Sequence, residues 1–238
     1  LVDAYSVDVT NAGTFTLAST GSITAVDTFT QDGKGVSSLG GNITADVGIS
    51  FATAIDLTQD IKLDSSFADG AITFGDTIDG AQTLTIAAGN GAVLFNTDTS
   101  GATPVTAHVG ANKALTEIDI SAADITLRDV TTTGKQTFTA TTIKTNSTYT
   151  SDGGAILFDG NTIINDAITI NTTANSAAGG DVTFNGTLDS ATGETNNVTI
   201  TAGAGNVKFA DVAGNIDTLG VVTVHSAADL TVNGLRAA

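Results

Sequence analysis

GGDVTFNGTLDSATGETNNVTITAGAGNVKFADVAGNIDTLGVVTVHSAADLTVNGL, residues 179–235, holds five short segments of one kind. They are Val182-Thr183-Phe184, Val198-Thr199-Ile200, Val207-Lys208-Phe209, Val222-Thr223-Val224 and Leu230-Thr231-Val232. In each, two large apolar residues flank a polar one. A period of two sends both apolar side chains to one face and the polar one to the other. Gly, Asn, Asp, Ser and Thr fill the gaps, and these residues turn a chain. The stretch therefore reads as five strands, each burying one face, with no helix between them.

Working outward, the same unit recurs. Strands are expected at 6–10, 14–17, 22–26, 42–45, 54–57, 61–63, 71–74, 83–86, 92–95, 117–120, 124–127, 137–139, 147–149, 155–158 and 167–170. A longer period lies over them. Residues 70–74 (GAITF) match 180–184 (GDVTF), 84–95 match 198–209, and 121–127 match 226–232, in the same order. A shorter echo links 153–160 to 179–186. These matches define a superrepeat of roughly 110 residues, about 70–178 and 179–238, the second incomplete, within a single repeat region spanning 1–238.

One winding of such a chain cannot cover its own apolar face. Stacking windings about 4.8 Å apart buries each Val, Ile or Phe against its equivalents above and below. The expected fold is all-β, a right-handed parallel β-helix of about twelve windings at about 20 residues each. The alternative is a tandem of antiparallel β-sandwiches, which the long period also suits. Strand direction separates the two. Two stretches break the rhythm: 98–113, with the only Pro (Pro104) and His108, reads as a loop leaving the regular surface, and 31–40 as a lesser interruption.

Composition agrees. The chain carries 43 Thr and 27 Gly, which favours strands joined by turns over helix. With 8 basic and 25 acidic residues, its formal charge of −17 repels nucleic acid and anionic lipid. Cys is absent, which removes disulfides, thiolate metal sites and a Cys nucleophile. No apolar run approaches the roughly 20 residues of a membrane-spanning helix. Leu1 is not an initiator and the first residues already alternate, so the chain is expected to begin after processing or inside a longer polypeptide.

The run in residues 179–209, followed by LGVVTVHSAADLTVNGL, resembles the repeats of filamentous-haemagglutinin-like giant bacterial surface adhesins. Thr131-Thr132-Thr133-Gly134-Lys135-Gln136-Thr137-Phe138 resembles the link between such repeats. The likeness covers 70–235 well and the first 69 residues loosely. It implies export across a Gram-negative envelope to the cell surface and a role as stalk, fibre or adhesive face. It names no ligand.

Chemistry is sparse. His108 and His225 lie 117 residues apart, outside any metal-binding frame, and His225 is expected to end a strand in solvent. No Gly-x-Ser-x-Gly elbow or phosphate loop is present. Parallel β-helices also house glycan lyases and hydrolases, so Asp152, Asp159, Asp166, Asp181 and Asp189 are candidate carboxylates, yet Asp serves turns equally well. Six Lys, two Arg and no Trp offer little for gripping a sugar. Calcium is the one metal with a case, although neither a β-roll nonapeptide nor an EF-hand loop occurs, and no ligands are assigned. Thr137, Thr139, Thr141 and Thr142, or Thr14 and Thr16, suggest ice-binding ladders, but Thr-x-Thr is irregular and outward Thr suits any strand. Asn42, Asn146, Asn171, Asn185 and Asn197 open glycosylation triplets of a number expected by accident.

The expectation is a structural or adhesive segment of a secreted bacterial surface protein or filament, not an enzyme, with no catalytic, cofactor or metal residues assigned. Its expected partners are neighbouring repeats or identical subunits stacked end to end, with a surface receptor or glycan beside them. Nucleic acid and membrane insertion are excluded. The alternatives are a β-helix enzyme acting on polysaccharide and a ligand-binding adhesin whose tip is the 98–113 loop.

Overall fold

The structure, a computed structural model, describes residues 2–95, 97–98 and 105–238. Among these residues every named element is a β-strand, and the chain divides into two compact units, 1–126 and 127–238. Each is a stack of windings with one strand per face, and the windings number about ten in all.

In the first unit the windings run β1 (Val2–Ala4), β2 (Val7–Val9), β3 (Phe15–Leu17); β4 (Ile23–Ala25), β5 (Thr28–Gln31), β6 (Ser37–Leu39); β7 (Ile43–Ala45), β8 (Gly48–Phe51), β9 (Ile55–Leu57); β10 (Ile61–Asp64), β11 (Ala71–Phe74), β12 (Ile78–Asp79). Then come β13 (Thr83–Ala87), β14 (Ala92–Phe95), an excursion carrying β15 (Thr97–Asp98) and β16 (Val105–Thr106), and finally β17 (Glu117–Ser121) and β18 (Asp124–Thr126). Each strand pairs in parallel with its equivalent one winding on. Ile23 lies over Ile43, Ile43 over Leu63, Leu63 over Ile86 and Ile86 over Ile120. Phe51, Phe74 and Phe95 form a second inward column.

The second unit repeats the plan with β19 (Val130–Thr131), β20 (Gln136–Thr145), β21 (Thr148–Thr150), β22 (Ile156–Ile164), β23 (Ile168–Asn171), β24 (Val182–Phe184), β25 (Leu188–Ser190), β26 (Val198–Thr201), β27 (Val207–Ala213), β28 (Val222–Ser226) and β29 (Leu230–Leu235). Three long strands, β20, β22 and β27, turn a corner without breaking and so serve two faces. Their inward column is Phe138, Phe158, Phe184 and Phe209 in register. Rings 158 and 184 stack at 4.8 Å and 5°, rings 184 and 209 at 5.5 Å and 3°. Identical rings at one winding's separation meet face to face without leaving their pleat, so a strand-by-strand repeat of Phe becomes a continuous core.

Among the described residues, antiparallel pairing is confined to β15–β16 and an isolated Asp152–Thr173 bridge. The fold is a parallel β-helix, and the sandwich alternative falls. The long repeat is also structural. Matched segments fall on equivalent strands: β11 with β24, β13–β14 with β26–β27, and β17–β18 with β28–β29. The short echo joins strands that pair directly, Ile156 with Val182 and Phe158 with Phe184.

Three expectations need correction. The winding count is nearer ten than twelve, because equivalent positions are 20 residues apart at Ile23–Ile43 but 34 apart at Ile86–Ile120. Extra residues go into corners and leave the pleat intact. The 31–40 stretch is no interruption. Gln31 ends β5 with its amide fully buried, donating to Asn11 (2.8 Å) and to the carbonyls of Gly33 and Gly35, and β6 follows in register. Within 98–113, the excursion ends at Thr106. Ala107 and Val109 are buried, and Val109 bridges Ile78 in the parallel sense. Pro104 and its neighbours 99–103 lie outside the described residues.

Candidate functional site

The sequence-selected carboxylates have a shared task. Short acidic or amide side chains at corners accept a backbone N–H from the next winding. Asp181 takes the Asn206 N–H at 2.7 Å, Asp152 that of Asn175 at 3.1 Å, and Asp189 that of Ile216 at 2.9 Å. Asp159 accepts from the Asn185 side chain at 2.9 Å, while Asp166 accepts the N–H of its neighbour Ala167. In the first unit Asp60, Asp69 and Asp79 hold the N–H groups of Thr83, Asn90 and Asn112. A corner leaves the sheet ladder, so its N–H groups need an acceptor from outside the pleat. Asp supplies one with a short, charge-assisted bond.

Four of the five glycosylation-type asparagines also take part in side-chain bonding. Asn42 and Asn197 accept from the Lys62 and Val221 backbones, Asn171 from Thr173, and Asn185 donates to Asp159. The two His are far from forming one centre. His108 gives its carbonyl to the Ile78 N–H in the first unit, and His225 is exposed at a bulge of β28 in the second. Among the described residues, no group of three or more His, Asp or Glu side chains is arranged to hold a metal ion.

Perturbed titrations mark structural contacts. Burial works to raise the Asp64 carboxyl, but the Lys62 ammonium at 2.7 Å and two bonds from Ser66 outweigh it and hold the group below its ordinary value. Asp69 is lowered by the Asn90 side chain and backbone N–H. Burial pushes the Tyr149 phenol far up, with its hydroxyl bonded to Thr145.

One surface feature has the shape of a binding site. On the outer side of β20, β22 and β25 lies a cavity of about 260 Å³. Its floor is two columns set by strand register, Thr142–Asn161–Thr187 and Ile163–Asp189. Its rim comes from the long connections 191–197 and 214–220, which contribute Thr192, Ile216 and Asp217. Asp217 braces the first connection, accepting from the Thr192 hydroxyl at 3.3 Å and the Gly193 N–H at 3.5 Å. Asp189 sits at the base, only 4% exposed because the second connection folds over it.

Of the candidate carboxylates, the groove takes in Asp189 alone. Asp217, Asn161 and Ile163 escape notice in the sequence. Thr162-Ile163-Ile164 puts an apolar residue outward beside an inward one, and this break in alternation was the available signal. No protein-family model matches the chain, and no curated protein or solved structure matches it significantly.

Proposed function

We propose that the chain is a structural and adhesive segment of a secreted bacterial surface protein or extracellular filament, a stiff stalk or fibre element rather than an enzyme. The observation that carries this reading is the parallel, in-register stacking of like residues within each unit, as in the Phe138–Phe158–Phe184–Phe209 column. A stack of this kind resists bending and extension because every winding is tied to the next by a full ladder of hydrogen bonds. Its partner is a further winding of the same kind, in the parent polypeptide or in a second copy. Leu230 and Val232 of β29 are 53% and 40% exposed, and another winding would cover them. The resemblance to haemagglutinin-like repeats supports a Gram-negative cell surface as its place of work. Immunogold labelling with antibodies to the chain tests this on cells of the source bacterium. Label on intact cells is the expected result; label that appears only after permeabilisation overturns it.

A further inference from the structure

We infer that the groove over β20, β22 and β25 binds a neutral glycan, one or two sugar rings at a time. The reasoning begins with how the floor is made. Its strands have their backbone groups committed to the ladder on both sides, since β22 pairs with β20 and with β25. A ligand there meets side chains alone, which disfavours an extended peptide that would add as a strand. What it meets is a mixture: the hydroxyls of Thr142, Thr187 and Thr192, the Asn161 amide, and the carboxylates of Asp189 and Asp217, around the half-exposed Ile163 and the protruding Ile216.

That mixture suits a sugar. Carboxylate and amide oxygens accept from ring hydroxyls, Thr hydroxyls both donate and accept, and the Asn161 amide nitrogen has no acceptor among the described residues. The isoleucines offer an apolar contact to the C–H face of a pyranose ring. Few polar groups around an apolar floor is the usual make-up of a small-molecule site. The polar groups are also fixed in advance. Asp189 is tied to the Ile216 N–H and Asp217 to Thr192 and Gly193, so the connections that form the rim are already in place before a ligand arrives.

Charge narrows the class. Two carboxylates line the groove, Lys144 stands outside it at the head of the Ile163–Asp189 column, and the whole chain carries −17. An acidic polysaccharide is repelled. A divalent cation is a poorer occupant, because the groove holds two carboxylates and no third acidic or imidazole ligand. This inference is independent of the stalk reading, since a glycan groove works whether or not the protein is exported.

The test uses the full chain and calorimetric titration with cello-, malto- and chito-hexaose, a heparin hexasaccharide, and calcium chloride alone. At least one neutral hexaose is expected to bind, with or without EDTA. Thr187→Arg, which lays a long side chain across the floor without touching the core, is expected to weaken that binding roughly tenfold or more. Asp217→Asn is expected to weaken it less, and Thr199→Arg, on another face, to leave it unchanged. Circular dichroism matching the parent confirms that each variant is folded. Binding of the heparin fragment alone, binding abolished by EDTA, no binding of any neutral hexaose, or full binding by a folded Thr187→Arg protein each overturns the assignment.

Discussion

Replacing Phe184 by Ala tests the stacking directly. Phe184 is fully buried in the middle of the second unit, 4.8 Å from the ring of Phe158 and 5.5 Å from that of Phe209, nearly parallel to both. Truncation loses the transfer energy of the ring and leaves a void between two rigid neighbours, about 3–5 kcal/mol together. The two ring contacts account for roughly 0.5–1.5 kcal/mol each, so burial and the cavity dominate. The control is Phe67→Ala, whose ring is 85% exposed at a corner of the first unit and is expected to matter by less than about 0.5 kcal/mol. Urea melts followed by circular dichroism give the energies, and hydrogen exchange locates them. Because each winding contacts only its neighbours, protection in F184A is lost first in β22, β24 and β27. If F184A unfolds the unit outright, Phe184→Leu, which keeps apolar bulk, falls between the parent and the control. An F184A protein as stable as F67A, or one whose protection falls only in residues 2–95, refutes the column as the source of cohesion.

Gly180→Ala is expected to destabilise by roughly 1–3 kcal/mol, because its Cβ would lie 2.5 Å from the Gly154 carbonyl carbon in the winding beneath. Gly13→Ala, with nothing within 4 Å, is expected to be neutral or slightly stabilising, and thermal melts compare the two. Tyr149 gives a pH signature. Its phenol is raised above the ordinary 10.0 by burial, so its contribution is complete below pH 10 and is lost as pH rises from there toward the folded value. Tyr149→Phe flattens that alkaline loss while costing about 1 kcal/mol at neutral pH for the stranded Thr145 hydroxyl. Melts between pH 8 and 12 check both limbs, and an unchanged alkaline slope in Tyr149→Phe removes Tyr149 from the account.

Strands were legible in the sequence where two large apolar residues flank a polar one. Those that escaped mostly put something else inward. β5 buries Phe29 with Gln31, β6 buries Ser37 with Leu39, and β25 buries Leu188 with Ser190. A buried Gln or Ser looks like a turn residue until the structure supplies its partners. β8 is different: Ile49-Ser50-Phe51 does alternate, and it went unmarked because no cluster of turn residues sets it off from its neighbours. The groove was less legible still. Its columns join residues 19 and 26 apart in one line and 19 and 25 apart in rim and floor, spacings fixed by corner insertions that have no periodicity of their own. Register, which only the folded chain reveals, is what brings Thr142, Asn161 and Thr187 together.

The same geometry accounts for the acidity better than solubility does. Of the 25 acidic residues only Glu117 and Glu194 are Glu; the other 23 are Asp. A need for surface charge alone would not discriminate between them, whereas a corner does. The Asp carboxylate is short enough to be held beside its own backbone while accepting an N–H there or in the winding above. Glu, one methylene longer, loses more side-chain freedom to reach the same donor. Asn does the job without charge at Asn42 and Asn197, so geometry rather than charge is the common requirement. The net charge of −17 then follows from using Asp at so many of these corners. Mutual repulsion between chains, and the exclusion of anionic ligands from the groove, follow from the means by which the windings are held together.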